Sequence, residues 1–472
     1  MNFIKWLSVT IAAVLVFSLS APLDASAITF TPTNGKNDKG EPVPLSFYSK
    51  SLYMLDTDTG EAIVEINSDD KRAPGYLTQL MTCALILDEF SGNEKKLKET
   101  KVSAGSEAYD ELFETGAPTA DIRPFEKVSY YDLICAMILC SSCEAANIAA
   151  VNLSKSLFEF TMKMNDKAKS LGMDNTNFSS AHGFNPNHNY TTAKDMAKLC
   201  KYLINTYPIF KEITVMELYK LEPTDYHKEG TTIYNNNYMV TSHSDYYNPK
   251  VKGMKSSVQE STGRCLATFG GSEGSNYLIV TLDAPIEKTE ADTRKGQLDP
   301  QSIFANDYVY YSMLDHRALY NWAFNMIVPT DFVNPNSEIT DAKVEFGKGT
   351  DYVNLRPEKG CTIQWPTDLA QDQIKKRITV FNNIVAPVEK GDVLGYLELE
   401  YNGSVISKID LIATSTVERS EFSSNVKVAG AYFGSKEFKW ALFVIIMIFA
   451  VYSVGFFVFM QLKYQKKSKK KK

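Results

Sequence analysis

An uncharged apolar segment near the C-terminus limits how this chain can fold. Trp440–Met460 contains 21 consecutive residues without a charged side chain. At ~1.5 Å per residue, a helix of this length crosses the ~30 Å hydrocarbon core of a bilayer. Seven lysines follow in Lys463–Lys472, and lysines mark the cytoplasmic side and attract anionic lipid head groups. The sequence therefore predicts one transmembrane helix at 440–462 and a basic cytoplasmic tail at 463–472.

The N-terminus has the pattern of an export signal. Lys5 precedes an apolar run, Trp6–Leu19, and the tripeptide Ala-Ser-Ala follows at 25–27. This order of charge, apolar core and small residues predicts a signal peptide at 1–27 and a mature chain that begins near Ile28. The alternative is an uncleaved membrane anchor. Most of the chain is expected outside the cytoplasm, and with the signal peptide cleaved it would be held at the cell membrane by a single pass.

Length and charge narrow the possible functions. The chain has 472 residues, of which 44% are hydrophobic and 22% are charged, so it is long enough for two or more folded domains. Its formal net charge is −6, and without the seven tail lysines residues 1–462 carry −13. An acidic outer part is repelled by the negatively charged phosphate backbone of nucleic acids, so we expect no nucleic-acid partner.

The cysteine pattern does not predict a metal site. Cys140 and Cys143 have the spacing of a redox or zinc pair, but no second pair and no nearby histidine completes it. We therefore expect neither a metal nor another cofactor, and we interpret most cysteines as small core residues. The odd count leaves at least one thiol free or intermolecular. The seven are Cys83, Cys135, Cys140, Cys143, Cys200, Cys265 and Cys361.

Local patterns predict alternating blocks of strand and helix. Ser51–Asn67 alternates and breaks at a turn, which predicts a β-hairpin. A helix is predicted after Pro74, with Tyr76 and Gln79 in its first turn, where backbone N–H groups are unpaired. A second helix is predicted at Tyr130–Leu139, and it begins with a pattern like a capping box.

Further along the chain, a helix is predicted to begin near Thr191, and strands are predicted at Lys252–Lys255 and Asn276–Asp283. This mixed order is typical of an α+β fold rather than a strict βαβ repeat.

A second domain is predicted after a linker at Pro329–Asn336. Residues 337–415 are rich in strand patterns, and Asn402-Gly403 between two alternating runs is a strong hairpin signal. Residues 416–439 would then form a stalk that leads to the apolar segment.

Three short boxes resemble one enzyme family. They read Tyr-Leu-Thr-Gln at 76–79, Ser-Ser-Cys at 141–143 and Lys-Ser-Ser at 255–257. In order and spacing they resemble the Ser-x-x-Lys, Ser-x-Asn and Lys-Thr-Gly boxes of penicillin-binding, serine-type D-alanyl-D-alanine carboxypeptidases. Flanking residues such as Arg72-Ala-Pro and Gly263-Arg-Cys-Leu agree. The resemblance covers roughly Pro44–Ser420.

The resemblance implies a fold and a set of roles. The fold would be a carboxypeptidase-like domain at 44–328, with helices on both sides of an antiparallel sheet, followed by the small β-rich domain. In the family, a serine attacks the bond between two terminal D-alanines, and a lysine one helical turn later accepts its proton. Here Tyr76 and Gln79 stand at those two positions. Cys143 replaces the asparagine, and Ser256 and Ser257 replace Thr-Gly.

The replacements predict an inactive site. A phenol has a pKa near 10 and fills more space than a serine, and a glutamine amide cannot accept a proton at neutral pH. Ser141 and Lys255 survive, and the resemblance implies that they face each other and hold the carboxylate end of the substrate. A solvated lysine on a strand edge is the alternative interpretation of Lys255.

Other residues could in principle have taken over the chemistry. Cys143 near the positive Lys255 is one candidate nucleophile, although a small core thiol is the plainer interpretation. Thr78 and Ser142 carry hydroxyls without an evident base. His182 and His188 are interpreted as turn or capping residues rather than as acid–base groups.

Three functions remain open on the sequence. The first is a catalytically inactive homologue that binds peptidoglycan stem peptides or a cell-wall protein in a regulatory role. The second is an active carboxypeptidase that trims stem peptides with non-standard residues. The third is a cell-envelope scaffold with a vestigial cleft, in which the β-rich domain or the membrane helix carries the interaction.

Overall fold

The computed structural model describes residues 28–184, 187–272, 274–287, 309–421 and 430–468. The predicted signal peptide at 1–27 lies outside these residues, as do 422–429 of the predicted stalk and 469–472 of the predicted tail. The chain divides into two units. One comprises Ser26–Pro329 with Gln364–Ala370, and the other comprises Thr330–Ile363 and the residues from Gln371 onward.

The first unit is built on a five-stranded antiparallel sheet. Its order is β4-β3-β11-β10-β9, so the first hairpin of the chain pairs with a later three-stranded meander. The strands of this unit are β1 (Thr33–Lys36), β2 (Pro42–Pro44), β3 (Ser51–Asp56), β4 (Ala62–Ile66), β5 (Lys101–Val102), β6 (Val128–Ser129), β7 (Leu218–Lys220), β8 (Thr232–Tyr234), β9 (Val251–Gln259), β10 (Gly263–Ser272) and β11 (Ser275–Ala284).

Helices cover both faces of this sheet. Alternate residues of a strand point to opposite faces: Cys265 and Ala267 of β10 join the large core that the helices share, whereas Thr268 contacts His316 on the other face. The helices are α1 (Gln79–Glu89), α2 (Glu94–Glu99), α3 (Tyr130–Cys140), α4 (Cys143–Leu153), α5 (Leu157–Ser170), α6 (Ala193–Thr206), α7 (Pro208–Thr214) and α8 (Tyr311–Met326), of which α8 carries His316.

The central helix α3 begins and ends for identifiable reasons. Ser129 and Asp132 form the capping box that the sequence predicts, with each side chain bonded to the other residue's backbone N–H. The helix is buried from Tyr130 to Leu139. It ends at Ser141, whose φ of 63° is left-handed, and Ser142 then caps α4 through a hydrogen bond from Ala145 N. Two helices therefore meet at a sharp turn.

Most predicted elements of the first unit are confirmed. The hairpin at 51–67 is β3–β4, and α6 begins at Ala193 with Thr192 as its N-cap. The linker predicted at Pro329–Asn336 is wrong in its first half, because β12 (Ile327–Val333) follows α8 directly. Proline is tolerated there because β12 is an edge strand of a two-stranded sheet.

The second unit contains a six-stranded sheet with the order β16-β18-β19-β14-β13-β17. Asn402 and Gly403 have φ values of 48° and 81° between the paired residues Tyr401 and Ser404, the two-residue turn that their sequence predicts. The remaining strands are β13 (Thr340–Glu345), β14 (Tyr352–Pro357), β15 (Cys361–Pro366), β16 (Lys375–Val380), β17 (Ile384–Val385), β18 (Val393–Tyr401) and β19 (Ser404–Ala413), of which β15 pairs with β12.

The apolar C-terminal segment is helical. The helix α9 (Lys436–Ser468) contains the whole stretch predicted to cross a membrane. Among the described residues, Lys436–Lys463 is the one segment long and apolar enough to span a bilayer, and none of its most apolar part is buried against protein.

Candidate functional site

The three sequence boxes meet at one place in the first unit. Tyr76 lies in a 3-10 turn, Gly75–Thr78, that runs into α1, and Gln79 is the first residue of α1. The backbone N–H of Tyr76 donates to Ser257 Oγ on β9 at 2.8 Å. Gln79 Nε2 donates to the carbonyl of Ser141, at the α3–α4 junction, at 3.0 Å. The box residues thus link the start of α1 directly to β9 and to the α3–α4 junction.

Lys255 is fully buried. Its ammonium donates to the Met137 carbonyl at 2.6 Å and to Ser141 Oγ at 3.0 Å, and no described carboxylate forms an ion pair with it. Burial lowers the pKa of Lys255 from 10.5 to about 8, because the charged form loses its hydration. The alternative of a solvated lysine is therefore wrong: β9 is an edge strand, but this side chain points under the helices.

Ser141 is the centre of the polar network. Its Oγ accepts hydrogen bonds from Lys255 and from Asn236 Nδ2, the latter at 2.9 Å, while its carbonyl accepts from Gln79. Lys255 and Ser141 therefore face each other, as the resemblance implies. Asn236 was not singled out from the sequence, because it lies in a run of three asparagines after β8 without any motif around it.

The two positions that resemble the family's nucleophile and base hold Tyr76 and Gln79, and both side chains are buried. Tyr76 is 5% exposed, and its ring lies parallel to that of Phe184 with centroids 6.5 Å apart. Burial raises the pKa of Tyr76 above its usual 10, so the phenol stays protonated. Gln79 is fully buried, and its Oε1 has no hydrogen-bond partner among the described residues. Neither the Tyr76 phenol nor the Gln79 amide therefore accepts or releases a proton near neutral pH.

The site is closed to solvent. None of the seven box residues is more than 5% exposed: Tyr76, Gln79, Ser141, Cys143, Lys255, Ser256 and Ser257. A loop lies close against the Tyr76 turn, since a Cβ added at Gly183 would sit 2.1 Å from the Gly75 carbonyl oxygen. Gln259 Nε2 bonds the Gly183 carbonyl at 3.0 Å and holds that loop in place. Ser256 points to the opposite face of the sheet from its neighbours and does not join the network.

The candidate replacement nucleophiles have structural roles. Cys143 is fully buried at the start of α4, and burial, with Glu144 adding to it, raises the pKa of its thiol rather than lowering it. Thr78 Oγ1 accepts from Asn189 Nδ2 at 2.9 Å, and Ser142 is the cap of α4. This burial and bonding argue against an activated nucleophile at any of the three positions.

The two loop histidines lie in bends and turns of the backbone. His182 is buried, its Nδ1 accepts from Phe184 N–H at 2.9 Å, and its Nε2 therefore carries the proton and donates to Glu111 Oε1, also at 2.9 Å. That hydrogen bond lowers the pKa of Glu111. His188 has a φ of 59° in a left-handed turn. Both positions agree with the turn interpretation.

The cysteines and other potential ligands form no metal site in the part of the chain that the structure describes. All seven cysteines lie in it as free thiols, including Cys140 and Cys143. No group of three histidine, cysteine, aspartate or glutamate side chains within the described ranges is arranged to hold a metal ion.

Comparison with known families agrees with this geometry. A model of the D-alanyl-D-alanine carboxypeptidase family matches residues 37–286, and a model of the penicillin-binding protein 5 C-terminal domain matches 329–419. This chain belongs to the D-alanyl-D-alanine carboxypeptidase family. It is 26% identical to the D-alanyl-D-alanine carboxypeptidase DacF of Bacillus subtilis over 404 residues, 85% of this chain and 94% of that protein. It is 24% identical to DacC of Escherichia coli, over 84% of this chain and 91% of that protein.

Solved structures show the same fold. The D-alanyl-D-alanine carboxypeptidase DacD of Francisella tularensis is similar with a TM-score of 0.58 and 19% identity, covering 85% of this chain and 98% of that one. Penicillin-binding protein 5 of Haemophilus influenzae is similar with a TM-score of 0.52 and 21% identity, covering 80% and 99%. The fold is therefore the α+β fold of penicillin-binding proteins, followed by a β-rich domain.

Proposed function

We propose that this chain is a membrane-anchored, extracytoplasmic D-alanyl-D-alanine carboxypeptidase homologue that does not hydrolyse its family's substrate. Its role would be non-catalytic, in peptidoglycan binding or regulation at the cell wall. The observation that carries this proposal is the pair Tyr76 and Gln79, buried and locked into the structure at the nucleophile and base positions.

The chemistry of the family explains the loss. A nucleophile and its base act as a unit, and losing one member typically costs orders of magnitude in rate. In this chain both members are replaced. The Gln79 amide donates to Ser141 and offers no basic site, and a phenol that burial keeps protonated is a poor nucleophile. The alternative of an active carboxypeptidase with non-standard residues finds no competent nucleophile–base pair at this site.

The anchor rests on separate features. The exposed, apolar α9 is long enough to cross a bilayer, lysines follow it, and residues 1–27 have the composition of a signal peptide. Together these features support the proposal that the folded units lie outside the cytoplasm and that the tail lies inside it. Anionic lipid would then contact the tail lysines.

A second candidate, an envelope scaffold with a vestigial cleft, is favoured by the burial of Lys255. A stem peptide would have to bring its terminal carboxylate to this ammonium, which has no exposed surface in the structure. The ammonium already donates hydrogen bonds to Ser141 Oγ and to the Met137 carbonyl. In the scaffold, another surface would contact a cell-wall partner.

The deciding experiment is covalent labelling by a fluorescent penicillin, together with D-alanine release from a stem-peptide substrate. The full chain in detergent micelles should give no labelled band and no D-alanine, while the Bacillus subtilis DacF protein serves as the positive control. A stable labelled band would contradict the proposal. Mass spectrometry would then locate the adduct, with Cys143 tested first.

Titration calorimetry distinguishes a cleft that still binds stem peptides from a scaffold with a vestigial cleft. If the cleft still binds, a peptide ending in D-Ala-D-Ala should give heat with the wild-type chain or with Tyr76→Ser. The same peptide with an amidated C-terminus should give no heat. Absence of heat for both proteins would leave the scaffold as the better candidate. Neither outcome depends on hydrolysis.

A further inference from the structure

A loop segment crosses the start of α4, and we call residues 118–126 the strap. The Pro118 carbonyl accepts a hydrogen bond from the Cys143 N–H at 2.9 Å. Thr119 Oγ1 and Ala120 N–H both donate to Glu144 Oε1 at 2.7 Å. The near half of the strap is therefore fastened to the first turn of α4, beside the family boxes.

The far half of the strap is held in a strained backbone conformation. Asp121 and Phe125 have φ values of 62° and 65°, in the left-handed region that residues other than glycine rarely adopt. Phe125 is 69% exposed, so packing of its ring does not account for the conformation. Strain of this kind persists only where neighbouring interactions impose it.

Phe125 N–H donates to the Ala104 carbonyl at 2.8 Å, and Thr224 Oγ1 donates to Glu126 Oε1. The contact that spans both ends of this turn is made by His227, in the loop between β7 and β8. The Nδ1 of His227 lies 2.9 Å from Glu126 Oε1, and its Nε2 lies 3.2 Å from Asp121 Oδ2. Ionised carboxylate oxygens only accept hydrogen bonds, so both contacts are hydrogen bonds only when both ring nitrogens carry protons. One imidazolium thus joins both ends of the strained turn to a separate loop.

The other charged groups nearby do not replace His227. From the strap, Arg123 pairs with the second oxygen of Asp121 at 2.6 Å. From the β7–β8 loop, Lys228 pairs with Asp225 at 3.3 Å. The groups facing the imidazole itself are the two carboxylates, and the hydrogen bond to Glu126 raises the pKa of His227 above its usual range.

We propose that Asp121, Glu126 and His227 form a pH-sensitive clasp that holds the strap over the start of α4. A doubly protonated His227 closes it. As the pH rises and one ring proton is lost, one carboxylate faces a lone pair, and the contact that spans both ends of the strained turn is lost. Because the folded-state pKa is raised, the stabilisation is fully present below about pH 6.5 and is lost as the pH rises through the folded-state value. The opened strap would give solvent a route to the α3–α4 junction.

Hydrogen exchange with mass spectrometry tests the clasp on the full chain in micelles. After correction for intrinsic rates, protection of the peptide covering 119–126 should fall measurably between pH 6 and pH 8.5, because the doubly protonated imidazole that bonds both carboxylates is lost over this range. Peptides from α6 should not change. His227→Gln carries its donors on a single nitrogen and has an oxygen that only accepts, so it cannot reproduce donors at both ring-nitrogen positions and should show low protection at both pH values. Asp225→Asn, in the same loop but outside the clasp, should behave as wild type.

A second measurement does not depend on any variant folding. Exchange of the histidine C2 hydrogen in the wild-type chain reports the titration midpoint of each imidazole, and the midpoint of His227 should lie above about 6.5. A midpoint at or below that value would overturn the clasp. So would wild-type strap protection that is independent of pH, or that changes equally in His227→Gln. None of these readouts involves D-alanine release, so this inference and the proposed function fail separately.

Discussion

Replacing Lys255 with methionine should reveal the cost of burying a cation without a carboxylate partner. Burial lowers the pKa of Lys255 from 10.5 to about 8. Each tenfold change in proton affinity is about 1.4 kcal/mol, so holding the charged form in the folded state costs about 3 kcal/mol relative to the neutral amine. Methionine has a similar length and no charge, and it removes this cost along with the two hydrogen bonds.

The pH dependence isolates the charge from the lost hydrogen bonds. Below pH 8 the lysine is protonated in both folded and unfolded chains, and the cost is fully present. Between pH 8 and 10.5 the folded chain gives up the proton while the unfolded chain keeps it, so the cost disappears as the pH rises. The free energy of unfolding of the wild type, relative to that of Lys255→Met, should therefore increase by about 2–3 kcal/mol between pH 7 and pH 10.

Urea unfolding of the full chain in micelles, followed by tryptophan fluorescence, measures this difference. Trp322 and Trp365 are buried in the unit that contains Lys255, whereas Trp440 lies on the exposed apolar helix. Lys252→Met is the matched control, because Lys252 is an exposed lysine on the same strand. The difference in the free energy of unfolding between the wild type and Lys255→Met could instead stay constant between pH 7 and pH 10, or the difference for Lys252→Met could change by the same amount. Either result would refute a buried cation.

Two further changes test the loop packing and the anchor. Gly183→Ala should destabilise the first unit by about 2 kcal/mol or more, because φ is +78° and the new Cβ would meet the Gly75 carbonyl oxygen at 2.1 Å. Gly172→Ala, at φ +71° with nothing within 4 Å, should cost only about 1 kcal/mol, and equal losses by urea titration would contradict the close packing. Deleting Lys436–Lys472 should yield protein that stays in the aqueous phase of a detergent partition while the full chain enters the detergent phase. A truncated chain that still partitions into detergent would locate membrane affinity elsewhere.

The elements predicted correctly from the sequence are those determined by interactions between near neighbours. Ser129 and Asp132 cap α3 across three residues, and Asn402-Gly403 makes a turn that depends on its own backbone preferences. The linker at Pro329–Asn336 failed for the opposite reason: β12 exists because a strand from elsewhere in the chain pairs with it. Pairing partners distant in sequence leave no local pattern.

By itself, the sequence determined the order of the elements, the apolar span and the absence of a serine and a lysine at positions 76 and 79. Whether these positions were accessible was decided only by the tertiary structure. The burial of Lys255 depends on α3 covering one face of β9, and Ser141 gathers donors from Gln79, Asn236 and Lys255, which are far apart along the chain. The clasp likewise joins His227 to carboxylates about a hundred residues earlier. Burial and hydrogen bonding between distant segments arise from packing, and no periodicity or spacing in one segment records what packs against it.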